Sequence, residues 1–360
     1  MSDAVLVTGA FGLVGSATVK RLAADGRNVV ATDLDIPENR KAAAELPAGV
    51  DVRYADLTDP VAVDALIQAV DPAAIIHLAA IIAPFCYARA ALARKVSVDA
   101  TGHLVRAASA QPTPPRFVQA SSIAVYGARN PHRITDVLSA DTPMRPTDLY
   151  GTHKAEAEEL VRSSSLDWVV LRLGGVLTVE LSLDIKPEFL YFESALPTDG
   201  RLQTVDVRDV AAAFAAATTA ECVGEILLIG GDDATHRLTQ GEIGPAVAAA
   251  MGLVGGIPLG RRGNPDSDDD WFATDWMDTT RAQEVLKFQH ISWPDILTET
   301  AEKAGWKRYP FRLAAPLVGY FLRKKSAYHD YPGQYADPWG AIRQKWGDPG
   351  PDRNLSAENS

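Results

Sequence analysis

Tyr150 and Lys154 stand four residues apart in the stretch DLYGTHKAE, Asp148 to Glu156. On a helix they would share one face, with Cβ atoms about 5–6 Å apart. A phenol beside an ammonium can exchange a proton with a substrate oxygen. Its ordinary pKa of about 10 is too high for a general base at neutral pH, and lowering it to about 7 takes about 4 kcal/mol of differential stabilisation. The ammonium and a positively charged cofactor ring would both favour the phenolate. Tyr-x-x-x-Lys also occurs by chance on surface helices, so the rest of the chain has to decide between the two readings.

A second pattern opens the chain. VLVTGAFGLVG carries Gly9, Gly12 and Gly15 where a strand turns into a helix, with Phe11, Leu13 and Val14 in the same turn. Glycines at this spacing let the backbone turn sharply and approach a pyrophosphate, which then rests on the free N–H groups of the helix. Asp33 ends the second strand, eighteen residues past Gly15 (33 − 15). A carboxylate there accepts hydrogen bonds from the adenine-ribose hydroxyls and repels a 2′-phosphate. No arginine or lysine follows closely in ATDLDIPEN, so the expected cofactor is NAD and not NADP. ADLTD places Asp56 and Leu57 beside the adenine, and HLAA places Ala79 and Ala80 where the dinucleotide lies against backbone. Asp56 also fits a loop cap, and His77 reads as a packed strand-end histidine.

The elements that must hold these groups alternate. Short β-branched runs (AVLVTG, NVVATD, VDVRYADL, AAIIHLAA, RFVQASS) are separated by Ala-rich segments of helical period. That order predicts right-handed βαβ units and an α/β, Rossmann-type doubly wound parallel sheet. DWVVLRLGGV and GEILLIGG read as further strands of it. The expected domains are 1–175 for the dinucleotide, completed by about 203–231, and a smaller, mainly C-terminal α/β substrate lobe from 176–202 and 232–330. An aromatic-rich extension, 331–360, follows, its last part read as disordered.

With 360 residues, 47% apolar and 22% charged, the composition is that of an ordinary globular protein. A net charge of −11 leaves no basic surplus for a nucleic acid. Two cysteines, Cys86 and Cys222, make no metal-type spacing. No run approaches the roughly 18 apolar residues of a membrane span, and MSDAVLVTGAFG lacks a leader pattern, so a cytoplasmic location is expected. The acidic run Asp268 to Asp270 reads as a solvated loop.

Taken together, TGAFGLVG, ADLTD, HLAA, ASSIAVYG, YGTHK and TVDVRDVAAA resemble the extended short-chain dehydrogenase/reductase superfamily, the NAD-dependent epimerase/dehydratase-like proteins, over about Val5 to Leu297. The resemblance implies that Ser122, Tyr150 and Lys154 are catalytic. Ser122 would hold the substrate oxygen, Tyr150 would move its proton and Lys154 would also hold the nicotinamide ribose. It implies substrate-side positions at Ile81, Ile123, Tyr126, Gly175 and Arg261 (or Arg262), and a homodimer through the helices around 88–110 and 148–162. Three departures stand out. Ser97 replaces the usual asparagine of the family's NVxGT segment. Ile123 and Ala124 after Ser122 cannot serve as acid or base, which argues against a dehydratase. Gly175 replaces an asparagine that commonly meets a nucleotide-sugar diphosphate, widening the pocket, while Arg261 resembles a phosphate-gripping position. The last two signals point in opposite directions on substrate class.

The leading expectation is an NAD-dependent oxidoreductase acting on a secondary alcohol or ketone. The alternatives are an NAD-retaining sugar epimerase and a non-catalytic dinucleotide sensor. The aromatic-rich stretch WKRYPFRLAAPLVGYFLRKKSAYHDYPGQYADPWGAIRQKW, with the basic cluster Arg323 to Lys325 after an apolar run, fits a segment that packs on its own subunit or forms a dimer contact. A membrane-surface segment and a cover over a hydrophobic substrate are the alternatives.

Overall fold

Branched and aromatic runs form strands where the alternation puts them. In the computed structural model, which describes residues 3–180, 186–258 and 260–351, the strands are β1 (Val5–Thr8), β2 (Val29–Asp33), β3 (Asp51–Tyr54), β4 (Ala74–His77), β5 (Arg116–Ser122), β6 (Trp168–Leu173), β7 (Gly175–Leu177), β8 (Arg201–Asp206), β9 (Ile226–Ile229) and β10 (Arg237–Thr239). Seven make one parallel sheet in the order β3-β2-β1-β4-β5-β6-β9. The order reverses beside β1, where Val5 pairs with Val29 on one side and Ala74 on the other. At such a reversal the flanking connections leave for opposite faces, and a crevice opens at the carboxyl ends of the strands.

Successive residues of β1 feed opposite cores. Val5 and Val7 join Val19, Leu22 and Phe214, while Leu6 joins Ile67, Leu104 and Phe117. Strands covered on both faces read as continuous apolar runs, which is why the sequence shows them so clearly. On the first face the helix Leu13–Ala24 packs against Val207–Ala217, and on the second Pro60–Val70 packs against Ala100–Ser109. This is the expected doubly wound architecture.

Short polar residues fix where helices begin. Asp59 accepts from Val61 N at 2.9 Å, with Pro60 as the first helical residue. Asp148 accepts from the N–H groups of Tyr150 and Gly151, each at 3.1 Å, and so starts the helix Leu149–Arg162. That cap puts Tyr150 in the first turn. The Ala-rich segment before β5 is interrupted: Lys95–Asp99 is π-helical, between Ala90–Arg94 and Ala100–Ser109. A π-bulge widens a helix by one residue and re-aims its side chains. Here Ser97 Oγ accepts from Ile81 N at 3.3 Å.

A second sheet pairs β7 parallel to β8 and β10 antiparallel to β8. Within 203–231, β9 and the helix Val207–Ala217 therefore stand with the large sheet, while most of β8 belongs to the small one. Helix Gln240–Ala250 packs against β10 and against Trp293–Ala304. The extension forms the helix Pro338–Trp346, capped by Asp337, which accepts from Gly340 N at 2.8 Å. It folds back on its own chain, so that Trp339, Ile342 and Trp346 pack with Tyr87, Leu149 and Phe192. Of the stretch GDPGPDRNLSAENS, 347–360, expected to be disordered throughout, the first part, 347–351, is instead described and held, with Pro349 O accepting from Leu149 N at 2.8 Å; 352–360 lie outside the described residues.

Candidate active site

The glycine turn lies at the β1/β4 reversal and tolerates no side chain at Gly9 or Gly15. Gly9 has φ +64°, and a Cβ there would stand 2.7 Å from Ala79 N; a Cβ on Gly15 would stand 2.0 Å from Gly9 O. Gly12 precedes the helix Leu13–Ala24 and offers no side-chain cap, so the first-turn N–H groups of Leu13, Val14 and Gly15 face the crevice end of the helix unblocked by a cap. Asp33 reaches the same turn: it accepts from Phe11 N at 3.4 Å and from Leu34 N at 2.8 Å. The Phe11 ring stands 6.2 Å from that of Tyr54. Ala79 and Ala80 follow β4, with Ala79 N donating to Thr8 Oγ1 at 3.4 Å. Asp56 turns its carboxylate onto Thr58, accepting from its N–H at 2.9 Å and its hydroxyl at 2.8 Å. Leu57 is buried, and its carbonyl meets His103 Nδ1 at 3.1 Å. Glycines that a Cβ would obstruct, an uncapped helix start and a carboxylate at the rim fit the diphosphate and ribose of a dinucleotide.

Ser122, Tyr150 and Lys154 converge at the carboxyl end of β5. Lys154 is buried and donates from Nζ to Ala120 O at 3.0 Å. Burial lowers its pKa to about 8, against the opposing pull of Glu158. Burial raises the Tyr150 phenol well above its ordinary value, and a hydrogen bond with the Ser122 side chain works the other way. The sequence suggested the ammonium as the group that acidifies Tyr150. In the structure that part falls to Ser122, because the lysine stem carries Nζ inward to the strand end. Ser122 Oγ also accepts from Ala124 N at 3.2 Å. Behind the helix start, Tyr87 donates its hydroxyl to the Asp148 cap at 2.6 Å.

His77 is a packed residue. Its ring nitrogens meet Thr8 Oγ1 at 2.7 Å and Thr101 Oγ1 at 3.0 Å, and burial lowers its pKa to about 3. A neutral imidazole there adds no charge beside Lys154.

Of the expected substrate-side residues, Ile81 lies in the cluster that includes Tyr150, together with Phe272, Trp339 and Trp346. Ile123 and Tyr126 pack in a separate cluster with Leu138, Leu228 and Met277. The Tyr126 hydroxyl donates to Ser139 O at 2.7 Å and accepts from Arg172 Nη1 at 2.6 Å, which leaves it little capacity for a ligand. Gly175 does not widen a pocket, because a Cβ there would meet the Leu202 side chain at 3.0 Å. Arg261 grips its own chain: it donates to Tyr331 O at 2.6 Å and Pro332 O at 2.9 Å, and stacks 4.6 Å from the Tyr328 ring. Arg262 pairs with Asp199 at 3.1 Å.

Two features escaped the sequence reading. One is a buried ion pair, in which Arg172 donates to Glu158 through Nε at 2.9 Å and Nη2 at 2.6 Å while Ser121 donates its hydroxyl to the same carboxylate. Its signal was the spacing 150, 154, 158, three residues on one helix face. The other is the aromatic wall, where Phe192 meets Phe272 at 5.4 Å and Phe272 meets Trp339 at 5.2 Å.

Comparison with known proteins agrees with this fold. The model of the NAD dependent epimerase/dehydratase family matches residues 5–178. A protein of Cupriavidus necator named D-erythronate dehydrogenase is 31% identical over 179 residues, 47% of this chain and 54% of that one. Its namesake in Haemophilus influenzae is 30% identical over 174 residues, 47% and 53% of the two chains. The chain thus spans about half the length of the curated relatives it matches. Among solved structures, a short-chain dehydrogenase/reductase superfamily protein from Agrobacterium tumefaciens with bound NAD shows a TM-score of 0.64 at 25% identity, over 87% of this chain and 99% of that one. The UDP-glucose 4-epimerase of Thermus thermophilus, in complex with NAD, shares the fold with a TM-score of 0.67 at 23% identity, over 84% and 98%. Residues 5–178, just under half of the chain, thus match the NAD dependent epimerase/dehydratase family, and the fold is shared with a solved short-chain dehydrogenase/reductase superfamily protein.

Proposed function

We propose that this chain is an NAD-dependent oxidoreductase that interconverts a secondary alcohol and its ketone. The observation that carries the reading is the convergence of Ser122, Tyr150 and Lys154 at the end of β5, beside the crevice formed by the glycine turn. Bound NAD would supply the hydride-accepting ring. Gly9, Gly12 and Gly15, with the first turn of Leu13–Ala24, hold the diphosphate, Asp33 takes the adenine ribose and Lys154 the nicotinamide ribose. Ser122 donates to the substrate oxygen. A phenol whose pKa burial has raised keeps its proton at neutral pH, so Tyr150 is a proton donor towards a ketone. In the opposite direction the Ser122 hydrogen bond and the cationic surroundings of the loaded site favour the phenolate that receives the alcohol proton.

The surroundings support net oxidation or reduction over epimerisation of a sugar nucleotide. Arg172 and Arg261 already bind groups of this chain, and Arg201 pairs with Asp275 at 2.7 Å. The wall beside Tyr150 is aromatic and aliphatic. Two of the curated relatives are named dehydrogenases. The test is a panel of secondary alcohols, hydroxy acids and ketones with added NAD or NADH, following reduced nicotinamide and product together. One-to-one stoichiometry is expected. Isomerisation of a sugar nucleotide by protein that releases tightly held NAD on denaturation, with no net redox change, would replace the dehydrogenase by an epimerase.

Asp33 sets the cofactor preference in this reading. Asp33→Ser removes the carboxylate that faces a 2′-phosphate, so the ratio of NAD to NADP affinity should fall about tenfold or more, equivalent to ~1.4 kcal/mol. Titration of both cofactors measures it, and an unchanged ratio would remove Asp33 from the ribose site.

A further inference from the structure

We infer that the helix Arg308–Lys325, with the turn before it, is a docking face for the surface of an anionic lipid bilayer. Trp306, Tyr309, Leu313, Leu317 and Tyr320 recur at spacings of three and four, which places them on one side. That side faces solvent: Trp306 is 74% exposed, Tyr309 77%, Leu313 86% and Leu317 60%. The other side is packed. Ala315 and Gly319 are buried, and a Cβ on Gly319 would stand 3.3 Å from Gly256 O. Just beyond the helix, Ala327 N donates to Ser194 Oγ at 2.9 Å and the Tyr328 hydroxyl to Ala195 O at 2.5 Å. The helix is therefore fixed to the body with its apolar side outward. A contiguous outward stripe is the kind of surface that marks an interaction face.

Charge selects the occupant. Between Gly305 and Lys325 the chain carries Lys307, Arg308, Arg312, Arg323, Lys324 and Lys325 and no Asp or Glu, although the whole chain has net charge −11. All six are exposed, and among the described residues none pairs with a carboxylate. By the helix period, Arg312 and Arg323 flank the stripe on one side and Lys307 and Lys325 on the other. Trp, Tyr and Leu side chains sunk to the headgroup boundary, with flanking cations reaching lipid phosphates, describe a helix lying in the plane of the interface. No helix of the described residues is long and apolar enough to cross a membrane, so this one lies on the surface. A second copy is the poorer occupant: a two-fold contact sets a patch against itself and would bring both sets of six cations together.

The test is co-sedimentation of the full chain with phosphatidylcholine vesicles, with and without phosphatidylserine, at low and high salt. Binding is expected only to vesicles containing phosphatidylserine and should weaken with salt. It should be lost in Leu313→Glu/Leu317→Glu and should fall on the order of 100-fold in Arg323→Gln/Lys324→Gln/Lys325→Gln. All five positions are exposed, so circular dichroism and melting should be unchanged. The inference is overturned by absence of binding, by equal binding to both compositions or by binding that neither variant alters. Self-association that Leu313→Glu/Leu317→Glu abolishes would overturn it too, assigning the face to a second copy.

Discussion

Tyr150→Phe should lower kcat by about 10²–10⁴-fold, the usual range for loss of a positioned acid–base group, and leave NAD affinity within a few-fold of the parent. The substitution removes one hydroxyl and keeps the ring. That ring packs among Ile81, Tyr87, Phe192 and Trp346, contacts that phenylalanine reproduces. The glycine turn, Asp33 and the Lys154 contact with Ala120 are untouched. Ser122 loses a hydrogen-bonding partner but still accepts from Ala124 N. Steady-state kinetics and a cofactor titration on the same preparation separate the two effects. Turnover near the parental rate would show that another group moves the proton.

The second large effect is on stability. Arg172→Leu leaves Glu158 buried with the Ser121 hydroxyl in place of the two guanidinium bonds it now receives. Removing one partner of a buried ion pair costs about 3–5 kcal/mol, because the remaining charge is stranded. Tm should fall by about 4–7 °C for a chain of this size. The double variant Arg172→Leu/Glu158→Leu should recover much of the loss, since replacing a buried ion pair by apolar residues is often close to neutral. Thermal unfolding of the single and double variants decides it; a single variant that melts with the parent would show that the pair is dispensable. Glu158 also works on the site. It raises the pKa of Lys154 against burial, so without it the lysine would give up its proton at still lower pH.

What the sequence revealed followed from how local each signal is. β1 and β4 were legible because strands covered on both faces must be apolar throughout, and the glycine turn was legible because its spacing is set within seven residues. Tyr150 and Lys154 needed the helix period together with the other motifs of the chain, because Tyr-x-x-x-Lys also occurs by chance. The partners of Arg172 and Arg261 needed the third dimension. Glu158 meets Arg172 across a strand–helix interface, and Arg261 closes on carbonyls some seventy residues away. The space at Gly175 looked open because Leu202, which fills it, arrives from β8 through the pairing of Gly175 with Thr204. The π-helical turn at Lys95–Asp99 has no residue signature of its own, so the departure at Ser97 could be seen but not its bond to Ile81.

The return of the C-terminal helix has a consequence for the order in which the protein becomes competent. Leu149 N, an orphan donor at the start of the Tyr150 helix, is satisfied at 2.8 Å by Pro349 O, and Trp346 stands 6.4 Å from the Tyr87 ring. During synthesis at about 5–20 residues per second, residue 349 follows residue 150 by roughly 10–40 s. For that interval the ribosome holds a chain whose glycine turn and Tyr150 exist while the wall beside them does not. The crevice can begin to form early, and the wall that closes beside it waits until the residues up to Pro349 have been made.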